Sequence, residues 1–108
     1  MTYIYSIIRK DIPLADQIVQ TAHSAFHAGE AFYAFEGGTD ISSIPFLVLL
    51  EINTQEELVA LSKKLKANGI VYSMFHEPDD DLGYTSLTTL PVNTEQRKLF
   101  SNFRLWRA

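Results

Sequence analysis

The fold of this 108-residue chain is constrained most by a regular alternation of short apolar runs with longer amphipathic segments. Residues 2–8 alternate and are rich in Tyr and Ile, and residues 44–52 and 70–75 are further apolar runs. Each of the three is therefore predicted to form a strand. Residues 14–35 and 53–69 lie between these runs and place apolar side chains at helical spacing. Because strands joined by helical crossovers become parallel neighbours, this order predicts an α/β sheet.

Local signals predict the remaining elements. Residues 84–90 are predicted to form a fourth strand, and the short connection before it predicts one antiparallel pair. The segment EGGTDISS at residues 36–43 is predicted to be a loop, and residues 93–96 are predicted to start a short last helix. The sequence thus predicts one α/β domain over residues 1–108, with a small mixed four-stranded sheet packed against helices.

The long first helix has two contrasting faces. Ala22, Ala25 and Gly29 form a stripe of small residues, which is predicted to pack closely against the sheet. The opposite face is predicted to be either a solvated surface or the wall of a site, since Gln and His are hydrogen-bonding groups. That polar face comprises Asp16, Gln20, His23, His27 and Glu30.

Composition excludes several classes of protein. The chain has no cysteine, so disulfides, thiolate nucleophiles and cysteine metal ligands are excluded. Nine basic against 13 acidic residues give a net charge of −4, which argues against a broad phosphate-binding face. The N-terminus lacks a signal-peptide pattern, and the longest apolar run, residues 44–50, is far shorter than the ~20 residues that span a bilayer. A cytoplasmic protein outside the membrane is expected.

Two histidines raise the question of a metal. His23 and His27 have the i, i+4 spacing by which one helix face offers two imidazoles to an ion. A third ligand would have to come from His76, Glu77 or Asp79. The stretch reads HSAFH and lacks the glutamate of a HExxH motif, so no metal and no cofactor are assigned.

The stretch FHEPDDDLGYTS, residues 75–86, concentrates four acidic residues directly after the third predicted strand. One interpretation is a solvated turn capped by aspartate side chains. The other is a site at the end of the strand, with carboxylates that act on a substrate or a cation. The residues alone leave both interpretations open.

Three pieces, taken in order, resemble the type-2 peptidyl-tRNA hydrolases, small α/β enzymes that cleave the ester between a peptide and tRNA. They are YIYSIIRKD at residues 3–11, QTAHSA at residues 20–25 and DLGYT at residues 81–85. The resemblance spans about residues 3–92. The family carries a lysine where this chain has Asp16, and the Glu-Pro-Asp at residues 77–79 looks like a branch of small homologues.

The resemblance implies that water attacks the ester at a site formed by conserved polar side chains of the family. Catalysis is assigned to Gln20, His23, Asp81 and Thr85. Substrate binding is assigned to Arg9, Asp16, Glu77 and Asp79. The family aspartate is either Asp79 or Asp81, because the two motifs give registers shifted by two residues.

Two functions therefore remain. The first is hydrolysis of a peptidyl-tRNA ester, with tRNA as a partner. The second is a non-catalytic relative whose pocket binds a ligand, a metal or a protein. A homodimer is also expected, from the resemblance and from the aromatic tail with Phe100, Phe103 and Trp106; alternatively, this tail folds back onto its own sheet.

Overall fold

The computed structural model describes residues 2–36 and 45–108, and it describes the side chains of all of these except residues 32–36. The predicted α/β fold is confirmed, with a four-stranded mixed sheet and two long helices. The predicted loop at residues 36–43 lies, beyond residue 36, outside the described residues. The elements are β1 (Tyr3–Arg9), α1 (Leu14–Glu36), β2 (Phe46–Ile52), α2 (Gln55–Ala67), β3 (Tyr72–Glu77) and β4 (Gly83–Thr89), with short 3-10 helices at Asp79–Asp81 and Gln96–Phe100.

The sheet has the strand order β2-β1-β4-β3. β1 and β2 are parallel, as expected for strands joined by a helix, and β4 is antiparallel to both β1 and β3. The predicted antiparallel pairing of the third and fourth strands is confirmed. Since β4 lies between β1 and β3, it occupies a central position and contacts both helical layers.

The face of the sheet under α2 carries the apolar core. The Thr54 hydroxyl caps this helix by accepting a hydrogen bond from the Glu57 backbone N–H at 3.2 Å, and the Glu57 side chain accepts one from the Asn53 backbone N–H. The helix buries one leucine stripe against the strands. The core residues are Tyr5, Ile7, Leu50, Ile52, Leu58, Leu61, Leu65, Ile70, Leu87, Val92 and Phe100.

The face under α1 is polar, and this corrects the predicted packing of that helix. Ala22 is exposed, whereas Gln17, Gln20 and Ser24 are buried against the sheet together with Ala28. The prediction that Ala22 packs on the sheet is therefore wrong. The physical reason lies in the strands, which present buried hydroxyl groups on this face, and buried polar groups require hydrogen-bond partners. Gln20 and Ser24 supply those partners, so the apolar side of the helix is turned outward.

Hydroxyl groups join α1 to the sheet directly. Thr88 Oγ1 lies 2.8 Å from both Ser24 Oγ on the helix and Ser6 Oγ on β1. Ser86 Oγ donates to the Gln20 carbonyl at 2.6 Å. All these residues are less than 4% exposed, so the interface is a buried polar network.

The C-terminal tail folds back onto its own sheet, which was the alternative interpretation. Phe100 is buried in the core, and the Trp106 N–H donates to the Leu49 carbonyl on β2 at 3.0 Å. The Trp106 indole N–H also donates to Gln17 Oε1 at 2.8 Å, which ties the tail to α1. The tail thus gives no support for a dimer. Within the described ranges, no helix is long and apolar enough to cross a membrane.

Candidate functional site

Gln20 is the centre of the candidate site. It lies on the buried side of α1 with only 3% of its surface exposed. Its Nε2 donates to Glu77 Oε2 at 3.1 Å, and its Oε1 accepts a longer hydrogen bond from the Thr85 hydroxyl at 3.4 Å. These two bonds fix the orientation of the amide, because the oxygen and nitrogen face different partners. Gln20 therefore joins α1 to the ends of two strands.

Glu77 is the carboxylate that reaches Gln20. It is the last residue of β3. The pairing of β3 with β4 shifts its register between Phe75 and His76, just before Glu77. The pKa of Glu77 is lowered from its ordinary value, first by the hydrogen bond from the Asp79 backbone N–H and then by that from Gln20. Partial burial opposes this lowering, while the nearby imidazoles of His23 and His76 add to it. The carboxylate is therefore ionised at neutral pH.

His23 lies at the surface beside this carboxylate. It follows Gln20 by nearly one turn of α1, and its ring stacks on Phe75 with centroids 4.3 Å apart and 18° between the planes. The stacking holds the imidazole over β3, while its edge stays exposed to solvent. A carboxylate and an accessible imidazole thus stand together at one edge of the sheet.

Thr85 lies beneath these groups and is fully buried. Its hydroxyl lies 3.4 Å from Gln20 Oε1 and 3.5 Å from the Phe75 carbonyl, so it shares one proton between two weak partners. A buried hydroxyl in this place orients Gln20 and is shielded from bulk water. The site therefore has a buried layer of Gln20 and Thr85 beneath the half-buried Glu77 and the exposed His23.

The acidic turn lies next to Glu77, in the 3-10 helix Asp79–Asp81. Its three side chains are exposed, and Asp80 and Asp81 have positive φ values of 55° and 54°. Asp79 contributes its backbone N–H to Glu77, whereas the carboxylate that reaches Gln20 belongs to Glu77 and to neither aspartate. The sequence offered Asp79 or Asp81 as the family aspartate, but the acidic side chain that contacts Gln20 is that of Glu77.

Arg9 and Asp16 complete the predicted site residues. Arg9 is 8% exposed and forms a two-bond ion pair with Asp11 at 2.8 and 3.0 Å. Its Nη1 donates to the carbonyls of Leu82 and Tyr84 at 2.5 and 2.9 Å, so the guanidinium fixes the turn that precedes β4. Asp16 is half-buried in the first turn of α1, where a negative charge is favoured by the helix dipole.

The described residues contain no group of three His, Asp or Glu side chains that could hold a metal ion. His23 and His27 are both exposed on α1, at the spacing that the sequence indicated. Two imidazoles alone do not form a structural or catalytic zinc site, which uses three or four protein ligands.

Comparison with known proteins supports the fold and gives no information about the function. No family model matches the chain, and no curated protein matches it. Among solved structures, a protein of unknown function from Agrobacterium tumefaciens strain C58 is similar, with a TM-score of 0.68 and 17% identity over 98% of each chain. A likeness at this identity shows a shared α/β fold, and the resemblance to the peptidyl-tRNA hydrolases stays a prediction.

The sequence predicted one cleft lined by Gln20, His23, Glu77, Asp79, Asp81 and Thr85, but two features around it were missed. One is Gln17, a buried amide that holds Trp106 and the Ile12 carbonyl. The other is the outward apolar side of α1, which was signalled by the large apolar residues Leu14, Ile18 and Phe26 at helical spacing. The prediction instead placed the small-residue stripe of Ala22, Ala25 and Gly29 against the sheet.

Proposed function

We propose that this chain hydrolyses an ester by activating water, as the type-2 peptidyl-tRNA hydrolases do. The observation that carries the proposal is the hydrogen bond between Gln20 and Glu77, which holds an ionised carboxylate beside the exposed His23 imidazole. The exposed imidazole can take a proton from water, and the negative charge of Glu77 lies close enough to interact with it.

In the proposed reaction, His23 removes a proton from a water molecule, and the resulting hydroxide adds to the ester carbonyl carbon. Glu77 stabilises the imidazolium that forms. The tetrahedral intermediate then breaks its bond to the leaving oxygen, and His23 returns the proton to that oxygen. The products are a carboxylic acid and an alcohol, which in a peptidyl-tRNA is the terminal ribose hydroxyl.

Glu77 acts here through its charge, because its lowered pKa makes it a weak base. Gln20 and Thr85 are positioning residues, since both are buried and both act through Glu77 or through each other. This assignment moves the carboxylate role from Asp81 to Glu77. Asp81 lies in the exposed turn and makes no hydrogen bond to Gln20 or His23 within the described part of the chain.

The test is turnover of an N-acylated aminoacyl-tRNA by purified protein. Replacing His23 by Ala should lower kcat about 10²–10⁴-fold, the usual contribution of general acid–base catalysis, and added imidazole should restore part of it. Glu77→Gln should lower kcat as well, while the matched control Asp81→Asn should keep wild-type turnover. Absence of turnover in the wild type, or full activity in His23→Ala, would refute the proposal.

A second candidate is binding without catalysis, of a ligand that carries a positive charge. The specific observation is the position of the Glu77 carboxylate, which accepts a hydrogen bond from the Asp79 backbone N–H at 3.1 Å and so lies beside the exposed carboxylates of Asp79–Asp81. In that case spermidine should perturb the NMR signals of Glu77 and its neighbours, and Glu77→Gln should weaken the binding. The wild type would then leave the ester intact.

A further inference from the structure

The two edges of the sheet differ in what covers them. The β2 edge is paired with the chain's own tail, since the Glu51 N–H donates to the Arg104 carbonyl at 2.9 Å. The Trp106 N–H likewise donates to the Leu49 carbonyl at 3.0 Å. At the other edge, β3 pairs with β4 and with no further segment in the part of the chain that the structure describes. An edge strand left open in this way is a template for pairing with another chain.

The backbone groups on the open edge of β3 can be assigned from one hydrogen bond. The Leu90 N–H donates to the Val71 carbonyl at 2.9 Å, so the residue before β3 turns its backbone toward β4. In an antiparallel pair, residues alternate between turning both backbone groups toward the partner strand and turning both away from it. Ser73 and Phe75 therefore also turn theirs toward β4. The outward residues of β3, which turn their N–H and C=O groups away from β4, are Tyr72, Met74 and His76.

The sequence of the open edge does not protect it against pairing. The strand reads YSMFHE and contains neither Lys nor Pro, two residue types that commonly block an edge. Every residue of β3 is half-buried or exposed, whereas the central strand β4 has five consecutive buried residues. At six residues, the edge is about 20 Å long, which is enough for a short extended peptide.

We propose that the open edge of β3 binds the peptide part of the ester substrate as an added strand, an inference that rests on the hydrolysis proposed above. The edge leads directly to the candidate site, because Glu77 is the last residue of β3 and His23 stacks on Phe75 of the same strand. A peptide paired there lies about 4.8 Å beyond β3. Backbone hydrogen bonds supply the affinity in this mode of recognition, so the substrates are esters whose acyl group is an extended peptide.

The direction of the peptide follows from the position of the site. In such a substrate the ester lies at the C-terminal end of the peptide, and β3 runs from Tyr72 toward Glu77. The ester therefore reaches His23 when the peptide runs parallel to β3. The outward residues alternate along the strand, so a peptide of about five residues pairs with all three of them.

The charges at this edge do not suit a nucleic acid. β3 contains no Lys or Arg, and it ends beside the carboxylates of Glu77 and Asp79–Asp81. Nucleic-acid affinity comes mainly from basic side chains that contact phosphates. The uncharged backbone of a peptide meets no such repulsion, so the peptide part of the substrate and not its alcohol part lies along β3.

Amide hydrogen exchange measured by NMR tests the pairing without any turnover. The probe is an uncleavable N-acetylated pentapeptide amide of alternating Ala and Val. At ten times its dissociation constant, the probe should slow exchange of the three outward N–H groups about 10-fold, because only the unbound molecules exchange. The N–H groups of Ser73 and Phe75 should change little, since they face β4 in the free protein.

Methylated probes separate backbone pairing from side-chain contact. An N-methyl group on a peptide amide that faces β3 removes a hydrogen bond, whereas one on the next amide points to solvent. Two probes methylated at adjacent residues should therefore differ about 3–10-fold in affinity. Equal affinities would overturn the strand pairing.

His76→Pro and His76→Ala form a matched pair of protein variants. Both remove the exposed imidazole, but only proline removes the outward N–H. Proline is tolerated on an edge strand where the N–H faces away from the sheet, and urea unfolding checks that both variants fold. His76→Pro should bind the probe about 3–10-fold more weakly than His76→Ala. Equal binding by two folded variants would count against pairing at this position.

A nitroxide at the N-terminus of the probe reports its direction. It should broaden the NMR signals of Tyr72 more than those of Glu77, because a parallel peptide begins where β3 begins. The opposite gradient would place the C-terminus of the peptide far from His23 and would overturn the inference.

Turnover of peptidyl-tRNAs of increasing length separates this inference from the proposed hydrolysis. The ratio kcat/KM should rise from one residue to about five residues and then stay constant, because longer peptides extend past the edge. Equal turnover at one and five residues would overturn the inference and leave the hydrolysis in place. Protection of the outward residues without any turnover would refute the hydrolysis and keep the peptide site.

Two further results would overturn the inference whatever the turnover. One is unchanged exchange of the outward N–H groups at ~5 mM probe, a concentration that detects even millimolar binding. The other is protection of these groups that rises with protein concentration in the absence of probe, which would assign the edge of β3 to a second copy of the chain.

Discussion

The polar contact between α1 and the sheet makes stability depend on one hydroxyl group. Thr88 Oγ1 lies 2.8 Å from both Ser6 Oγ and Ser24 Oγ, and all three residues are at most 1% exposed. Thr88→Val keeps the shape of the side chain but removes both hydrogen bonds. At about 0.5–1.5 kcal/mol each, their loss should lower the free energy of unfolding by ~1–3 kcal/mol.

The cost should come mainly from Ser6. Ser24 retains a bond to the Thr21 carbonyl at 3.2 Å, whereas the Ser6 hydroxyl would be buried without a partner. Ser6→Ala combined with Thr88→Val should therefore recover part of the lost stability, because a matched apolar pair is cheaper than an unpaired hydroxyl.

Urea unfolding followed by CD at pH 7 measures these changes. The exposed control Thr94→Val should unfold within about 0.5 kcal/mol of the wild type. An unchanged midpoint for Thr88→Val would show that the hydroxyl network contributes nothing. A double variant less stable than Thr88→Val alone would show that Ser6 was never left unpaired.

Three further predictions follow from single residues. Because the pKa of Glu77 is lowered in the folded protein, its carboxylate stabilises the fold fully above the ordinary pKa of 4.5. That stabilisation is lost as the pH falls through the lowered pKa. The difference in urea midpoint between wild type and Glu77→Gln should therefore shrink in the acid range. Ala28→Leu should cost ~1–3 kcal/mol in thermal unfolding because Ala28 is 3% exposed on the sheet-facing side of α1, whereas Ala15→Leu on the exposed side should be nearly neutral. Gly83→Ala should destabilise by ~1–3 kcal/mol, since Gly83 has φ +71° and the added Cβ would lie 2.1 Å from Gln55 Oε1. Adding Gln55→Ala should relieve the close contact but not the backbone strain of the positive φ.

The sequence predicted the strands and helices well because their apolar periods are regular. It failed at the orientation of α1, where small residues and large apolar residues form competing stripes around the same helix. Ala22 belonged to the favoured stripe and is exposed, while Ser24 and Gln17 are buried. Which side of α1 faces the sheet depends on the groups that the sheet presents to it. The serine and threonine hydroxyls on that face of the sheet come from strands far apart in the chain.

Some contacts of the candidate site could be anticipated from the sequence, whereas the carboxylate that contacts Gln20 could not. The helix stripe and the strand end indicated one site with Gln20, His23, Glu77, Asp79, Asp81 and Thr85, and the side chains of Gln20, Glu77 and Thr85 are the ones that hydrogen bonds join. The choice of Glu77 over the aspartates depends on the register shift after Phe75 and on the left-handed backbone of Asp80. Neither has a distinctive sequence signal, because aspartate adopts that conformation only occasionally.

The position of β4 has a consequence for synthesis on the ribosome. The strand that holds the middle of the sheet is Gly83–Thr89, yet its neighbours β1 and β3 are made earlier. While the first 80 or so residues emerge, the β1–β2 pair and α1 lack the strand that carries the Ser86 and Thr88 hydroxyls. Contacts of this sequence separation form slowly. The nascent chain therefore carries an unfinished sheet edge, open to chaperones, until the last quarter of the domain has left the exit tunnel.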